Sequence, residues 1–205
     1  MRRLALVLAL TVSANAWARM RRLALVLALT VSANAWADAH EAVQQAFEKF
    51  LALKSFRATV VDVAKGQQLS AMEYEAPDRY HMKTGQGPET LIIGDEAWMD
   101  VDGRLMKMPI PVGRIIAQYR NEALARTQYT VTEVGADSVD GEPAHVYSYT
   151  VTQPVKAESK AWISDRSGLP LQIESRGSFM GVKSTTRVRY SDFDDPAIRI
   201  AAPAD

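Results

Sequence analysis

SFRATVVDVAKGQQLSAMEYEAPDRYHMKT, residues 55–84, sets the period of the whole chain. Phe56, Ala58 and Val60 alternate with Arg57 and Thr59, and successive side chains of a strand point to opposite faces, so the stretch predicts a half-buried strand over 55–64. Lys65-Gly66 is a turn signal, QLSAMEYEA (68–76) is a second strand, and Pro77-Asp78 ends it. RYHMKT (79–84) then places Tyr80 and Met82 on one face and Arg79, His81 and Lys83 on the other. Turns this short join antiparallel neighbours, because parallel strands need a crossover of about a dozen residues or more.

The same period runs on. ETLIIG (89–94), EAWMDVDG (96–103) and RLMKMPIP (104–111) form a meander that turns at Asp102-Gly103. Strands resume at 128–134, 144–152, 158–165, 169–175 and 181–194, with two turn signals between 135 and 144 and a last short strand IRIA at 198–201. Two segments break the pattern. In 38–54, Val43, Ala46, Phe47, Phe50 and Leu51 make one apolar stripe at helical spacing. In 112–127, Ile115, Ile116 and Tyr119 gather on one side of a short helix that follows Pro109 and Pro111. The expected fold is mainly β (α+β): an incomplete, strongly curved antiparallel β-barrel of about ten or eleven strands, since one sheet of that size must curl. The N-terminal helix and the short helical lid would cover it.

The first residues do not belong to that pattern. MRRLALVLALTVSANAWA occurs at 1–18 and again at 20–37. Each copy has paired arginines, a short apolar run and an Ala-x-Ala end, the three parts of a secretory signal peptide. Its apolar run is too short to span a membrane, which takes about 20 residues. The expectation is a duplicated leader over 1–37 that is removed, and a single domain over 38–205. All five of Arg2, Arg3, Arg19, Arg21 and Arg22 lie in the leader and no acidic residue does, so a chain of 24 basic and 24 acidic groups becomes acidic without it. An acidic domain argues against nucleic acid as a partner.

Catalytic and metal chemistry find little support. The chain has no cysteine, which removes disulfides, thiolate metal sites and lipid attachment at cysteine. His40, His81 and His145 are scattered without a metal-ligand spacing, and no nucleophile–base motif is present. The acids of SDFDD (191–195) fit a solvated strand end rather than a calcium loop. No catalytic residue, metal or cofactor is expected. The mature chain is instead rich in methionine, a flexible and polarizable side chain suited to adaptable apolar surfaces. Phe56, Val60, Met72, Tyr74, Tyr80, Met82, Leu91, Trp98 and Met99 are the expected lining of an apolar cavity. Phe47, Phe50, Ile115, Ile116 and Tyr119 are the expected lid.

Four segments in order carry a family resemblance: SFRATVVDV after an amphipathic helix, APDRYHM, ETLIIGDEAWMDVDG, and WISDRSGLPLQIES followed by TTRVRYSDFD. Together they span most of 38–202 and resemble the LolA-type periplasmic lipoprotein carriers and their LolA/LolB-like relatives. The resemblance implies an incomplete barrel lidded by helices, whose interior holds the acyl chains of a lipoprotein or another lipid. It implies a periplasmic location and transfer toward the outer membrane, with an inner-membrane donor complex and an outer-membrane receptor as partners for such traffic. The family's carriers place an arginine that latches the lid just before the proline of the third strand. This chain has Ala76 there, and Arg79 stands two residues beyond Pro77. The alternative function is a regulatory module of the same fold that senses a lipid or lipoprotein.

Overall fold

The computed structural model describes residues 38–85, 87–114, 130–151, 157–179 and 182–203. Helix α1 spans 38–51. Eleven strands follow: β1 Ser55–Asp62, β2 Gln67–Glu75, β3 Arg79–Thr84, β4 Glu89–Ile93, β5 Glu96–Val101, β6 Arg104–Lys107, β7 Val131–Val139, β8 Glu142–Val151, β9 Ala157–Ser164, β10 Pro170–Phe179 and β11 Val182–Ser191. They form one antiparallel sheet in the order β6-β5-β4-β3-β2-β1-β11-β10-β9-β8-β7. The sheet is open, and its two edges are β6 and β7, which are consecutive in the chain. The segment between them, which carries Ile115, Ile116 and Tyr119, therefore joins opposite edges.

The turns follow from local chemistry. Asp102-Gly103 and Asp140-Gly141 both have positive φ at both residues, the geometry that matches the right-handed twist of a two-residue hairpin. Asp100 accepts the Gly103 N–H at 2.7 Å and closes the first of them. Only one turn interrupts 135–144. Gly135 sits inside β7 at a register shift opposite Val146, so its turn signal marks a bulge and not a chain reversal.

IRIA is not a strand. The chain after β11 turns through Asp192–Ala197, and 198–203 runs without ladder pairing. Its backbone groups go to side chains: the Ile200 N–H donates to Glu75 at 2.8 Å, and Arg79 donates to the Ile200 carbonyl oxygen at 2.5 Å. Ile198 (1% exposed) and Ile200 are buried, so burial and side-chain bonds hold this tail where a strand was expected.

Helix α1 lies on one face of the sheet, called here the helix face. Ala39, Val43 and Ala46 pack with Val131, Tyr149, Ala161 and Ile163, and Phe47 meets Tyr149 edge-on. Leu51, expected on the buried stripe, is exposed at the end of the helix. A second cluster, Leu53, Phe56, Ala58 and Tyr74, takes Phe50 and Tyr190 against it. No helix among the described residues is long and apolar enough to cross a membrane.

Candidate functional site

Because paired residues of neighbouring strands share a face, the register assigns every predicted lining residue to a side. Phe56 pairs with Tyr74, and Tyr74 with Tyr80. Ala58 pairs with Met72, Met72 with Met82, Met82 with Thr90, Thr90 with Met99, and Met99 with Met106. Val60 pairs with Ser70 and Val188. Phe56, Val60, Met72, Tyr74, Tyr80, Met82 and Met99 therefore all stand on the helix face.

All of them except Val60 fall in two adjacent rungs of different character. The first is a run of rings: Phe50–Phe56 at 4.7 Å between centroids, Phe56–Tyr74 at 4.9 Å and Tyr74–Tyr80 at 5.1 Å, with Tyr190 at 4.7 Å from Phe50. These spacings suit tilted and edge-to-face ring contacts. The Tyr74 hydroxyl donates to the Pro77 carbonyl oxygen at 3.2 Å. Burial pushes the Tyr190 hydroxyl pKa well up. The second rung carries the methionines. Met72 packs against the ring cluster, while Met82 and Met99 are half-buried and Met106 is 58% exposed at the sheet edge.

Leu91 and Trp98 are not brought to this face. They pair with each other on the opposite, outer face of β4 and β5. Leu91 is buried there beside the C-terminal tail, in a pocket of about 220 Å³ also lined by Glu73, His81, Glu89, Leu105 and Ile200. Trp98 stands 5.9 Å below the Lys107 ammonium, which also bonds Glu96. The reason is that β4 is covered on both sides: Ile92 is buried on the helix face and Leu91 on the outer face. A strand buried on both faces has no alternation to read. In this pocket His81 lies 3.3 Å from Glu89, whose carboxyl pKa is lowered by Lys83 first and by His81 second.

Arg79 also belongs to the outer face, bonded to the tail as described. It points away from α1. Of the expected lid, Phe47 and Phe50 pack on the sheet through α1, while Ile115, Ile116 and Tyr119 lie outside the described residues. The root of that segment is described. Residues 112–114 begin a helical turn against the β4–β5 turn. Gly113 is buried so close to Gly94 that a Cβ would overlap the Gly94 carbonyl oxygen, and Arg114 pairs with Asp95 at 2.6 Å. Glycine is required there by space, a reason that its place before a helical stretch does not signal.

Among the described residues no cluster of His, Asp or Glu could hold a metal. His145 bonds Asp165 at 2.6 Å with Glu133 at 3.9 Å, and the Asp165 hydrogen bond raises its pKa. It is a half-exposed ion pair.

No protein-family model matches the chain, and no curated protein does. Solved structures do match. The Mycobacterium tuberculosis lipoprotein LppX aligns with a TM-score of 0.60 at 11% identity, over 78% of this chain and 97% of its own. LprF from Mycobacterium bovis aligns at 0.59 and 14% identity, over 82% and 98%. At such identities the likeness establishes the fold alone, an open curved antiparallel sheet with a helix on one face.

Proposed function

We propose that the chain is a periplasmic carrier that binds the acyl chains of a lipoprotein or another lipid on its helix face, for transfer toward the outer membrane. The supporting observation is the methionine rung. Met72, Met82, Met99 and Met106 stand in line across the helix face, only partly buried, while the neighbouring rungs under α1 are packed. Apolar surface left open gains about 25 cal/mol per Å² when an acyl chain covers it, and methionine adapts to chains of different length. The leader at 1–37 and the single domain at 38–205 belong to this reading, with release at a membrane or receptor that holds the acyl chains better. No covalent step is required, so the protein acts as a binder and not as an enzyme.

The test is extraction and mass spectrometry of the protein purified from its natural host, followed by incubation with lipid vesicles. Co-purifying acyl species that pass to the vesicles support a carrier. An empty protein that also takes up no alkyl-pyrene probe overturns acyl binding. Acyl species retained against vesicles would match the sensing module.

A further inference from the structure

The two open edges of the sheet are guarded differently. β7 carries the Gly135 bulge and the acids Glu133 and Asp137, and its exposed apolar side chain, Val134, sits beside the bulge. Bulges and charges keep an edge strand from pairing with another chain. β6 pairs with β5 without irregularity and carries Met106, the last member of the methionine line. Val101, Leu105, Met106 and Ile110 are all exposed at this corner. A gathered apolar patch of this kind marks an interaction surface.

Which groups of β6 are free follows from its turn. Val101 and Arg104 close the two-residue Asp102-Gly103 hairpin, so they exchange both main-chain hydrogen bonds. Alternation repeats this at Met99 and Met106, and the Met108 N–H, donating to the Ala97 carbonyl oxygen at 2.8 Å, keeps the phase. The N–H and C=O groups of Leu105 and Lys107 therefore point outward along the open edge.

A second β6, antiparallel and centred on Met106, answers them with its own Lys107 and Leu105, each pair exchanging both hydrogen bonds. Pro109 has no N–H and ends the match. No like charges stand opposite each other: Leu105 faces Lys107, and Arg104 faces Met108. Lys107 keeps Glu96 as its ion partner, and its methylenes offer Leu105 an apolar surface. Met106 faces Met106, so the line Met72–Met82–Thr90–Met99–Met106 runs on into the same line of the second copy.

We propose that β6 pairs with β6 of a second copy of this chain, joining two helix faces into one sheet surface with a shared methionine line. So short an edge lies well below the roughly 1,200 Å² of a stable complex, so the association is weak and concentration-dependent.

The chain has no cysteine, so a single introduced one reports the register. Facing Met106 positions stand about 4.5 Å apart between Cα atoms, within disulfide reach. Leu105 is two residues out of register with its own copy, beyond the limit of about 7 Å. Under a mild oxidant Met106→Cys is expected to give at least about fivefold more disulfide-linked dimer than Leu105→Cys, whose position is also exposed. Equal cross-linking, or more through Leu105→Cys, overturns the pairing. In sedimentation equilibrium the purified wild-type protein is expected to pass from one chain to two as its concentration rises into the range of about 100 μM to 1 mM. A single chain throughout overturns the proposal. Lys107→Pro removes an outward N–H and leaves the β5 ladder intact, and it is expected to stay a single chain. A folded Lys107→Pro that still dimerises counts against the proposal, and the wild-type and cysteine results decide it if that variant does not fold. Mass and cross-linking are read without a lipid, so failure here leaves the acyl-binding reading untouched.

Discussion

The half of the sheet beneath α1 and the half that carries the methionine rung use the same antiparallel pairing but bury their faces differently. Under the helix, small and branched residues meet: Val43 and Ala161 are fully buried and Val131 and Ile163 close over them. Across β2 to β6, Met72, Met82 and Met99 stay half-buried. The first arrangement follows from an amphipathic helix whose stripe fits a flat set of small side chains. The second presents long flexible side chains that stay partly exposed. A sheet that needed only to be stable would cover both halves alike. The difference separates what holds the domain together from the face on which we propose that a ligand binds.

Four changes would break or sharpen that contrast. Val43→Asp should have the largest effect, since an unpaired carboxylate in the packed half costs about 3–5 kcal/mol. Chemical denaturation would show it, and a loss under about 1 kcal/mol would mean that α1 is not the structural half's anchor. Gly113→Ala comes next, because the new methyl must displace the Gly94 carbonyl. It should lower the melting temperature and weaken alkyl-pyrene uptake together. Uptake at the wild-type level would separate the 112–114 root from the site. Met99→Glu should reverse the pattern: stability within about 1 kcal/mol of wild type, but acyl uptake reduced about tenfold or more by a charge in the binding face. Equal binding by this variant would remove Met99 from the site.

The smallest effect is a pH dependence. Asp165 raises the His145 pKa in the folded state, so the pair's stabilisation is full below the unfolded histidine value of about 6.5. It is lost as pH rises through the raised folded value. His145→Gln should therefore lower the melting temperature more at pH 6 than at pH 8, by a small amount because the pair is half-exposed. A difference of the opposite sign would mean that the ion pair does not act as described.

Much of this arrangement is legible in residue order. Alternation in 55–62, 67–75 and 79–84 is enough to put Phe56, Val60, Met72, Tyr74, Tyr80 and Met82 on a common face. Leu91 escapes it because β4 is covered on both faces, the second cover being the C-terminal tail, and Trp98 because it pairs with Leu91 on the outer face. IRIA reads as a strand by composition, yet its partners are the side chains of Glu75 and Arg79, which local pattern does not encode. Gly135 reads as a turn and is a bulge, since only the partner strand reveals an extra residue.

By itself the sequence determined the strand periods, the hairpin turns at Asp-Gly pairs and the amphipathic stripe of α1, because these depend on neighbours within a few residues. Tertiary structure alone decided which edge strands stay open, which side of β4 and β5 faces the helix, and that Arg79 serves the tail. Each of those outcomes rests on contacts between residues far apart in the chain, as between Arg79 and Ile200. The line of methionines across the helix face has the same origin. Its members lie on different strands, and only the register of the ladder sets them in line.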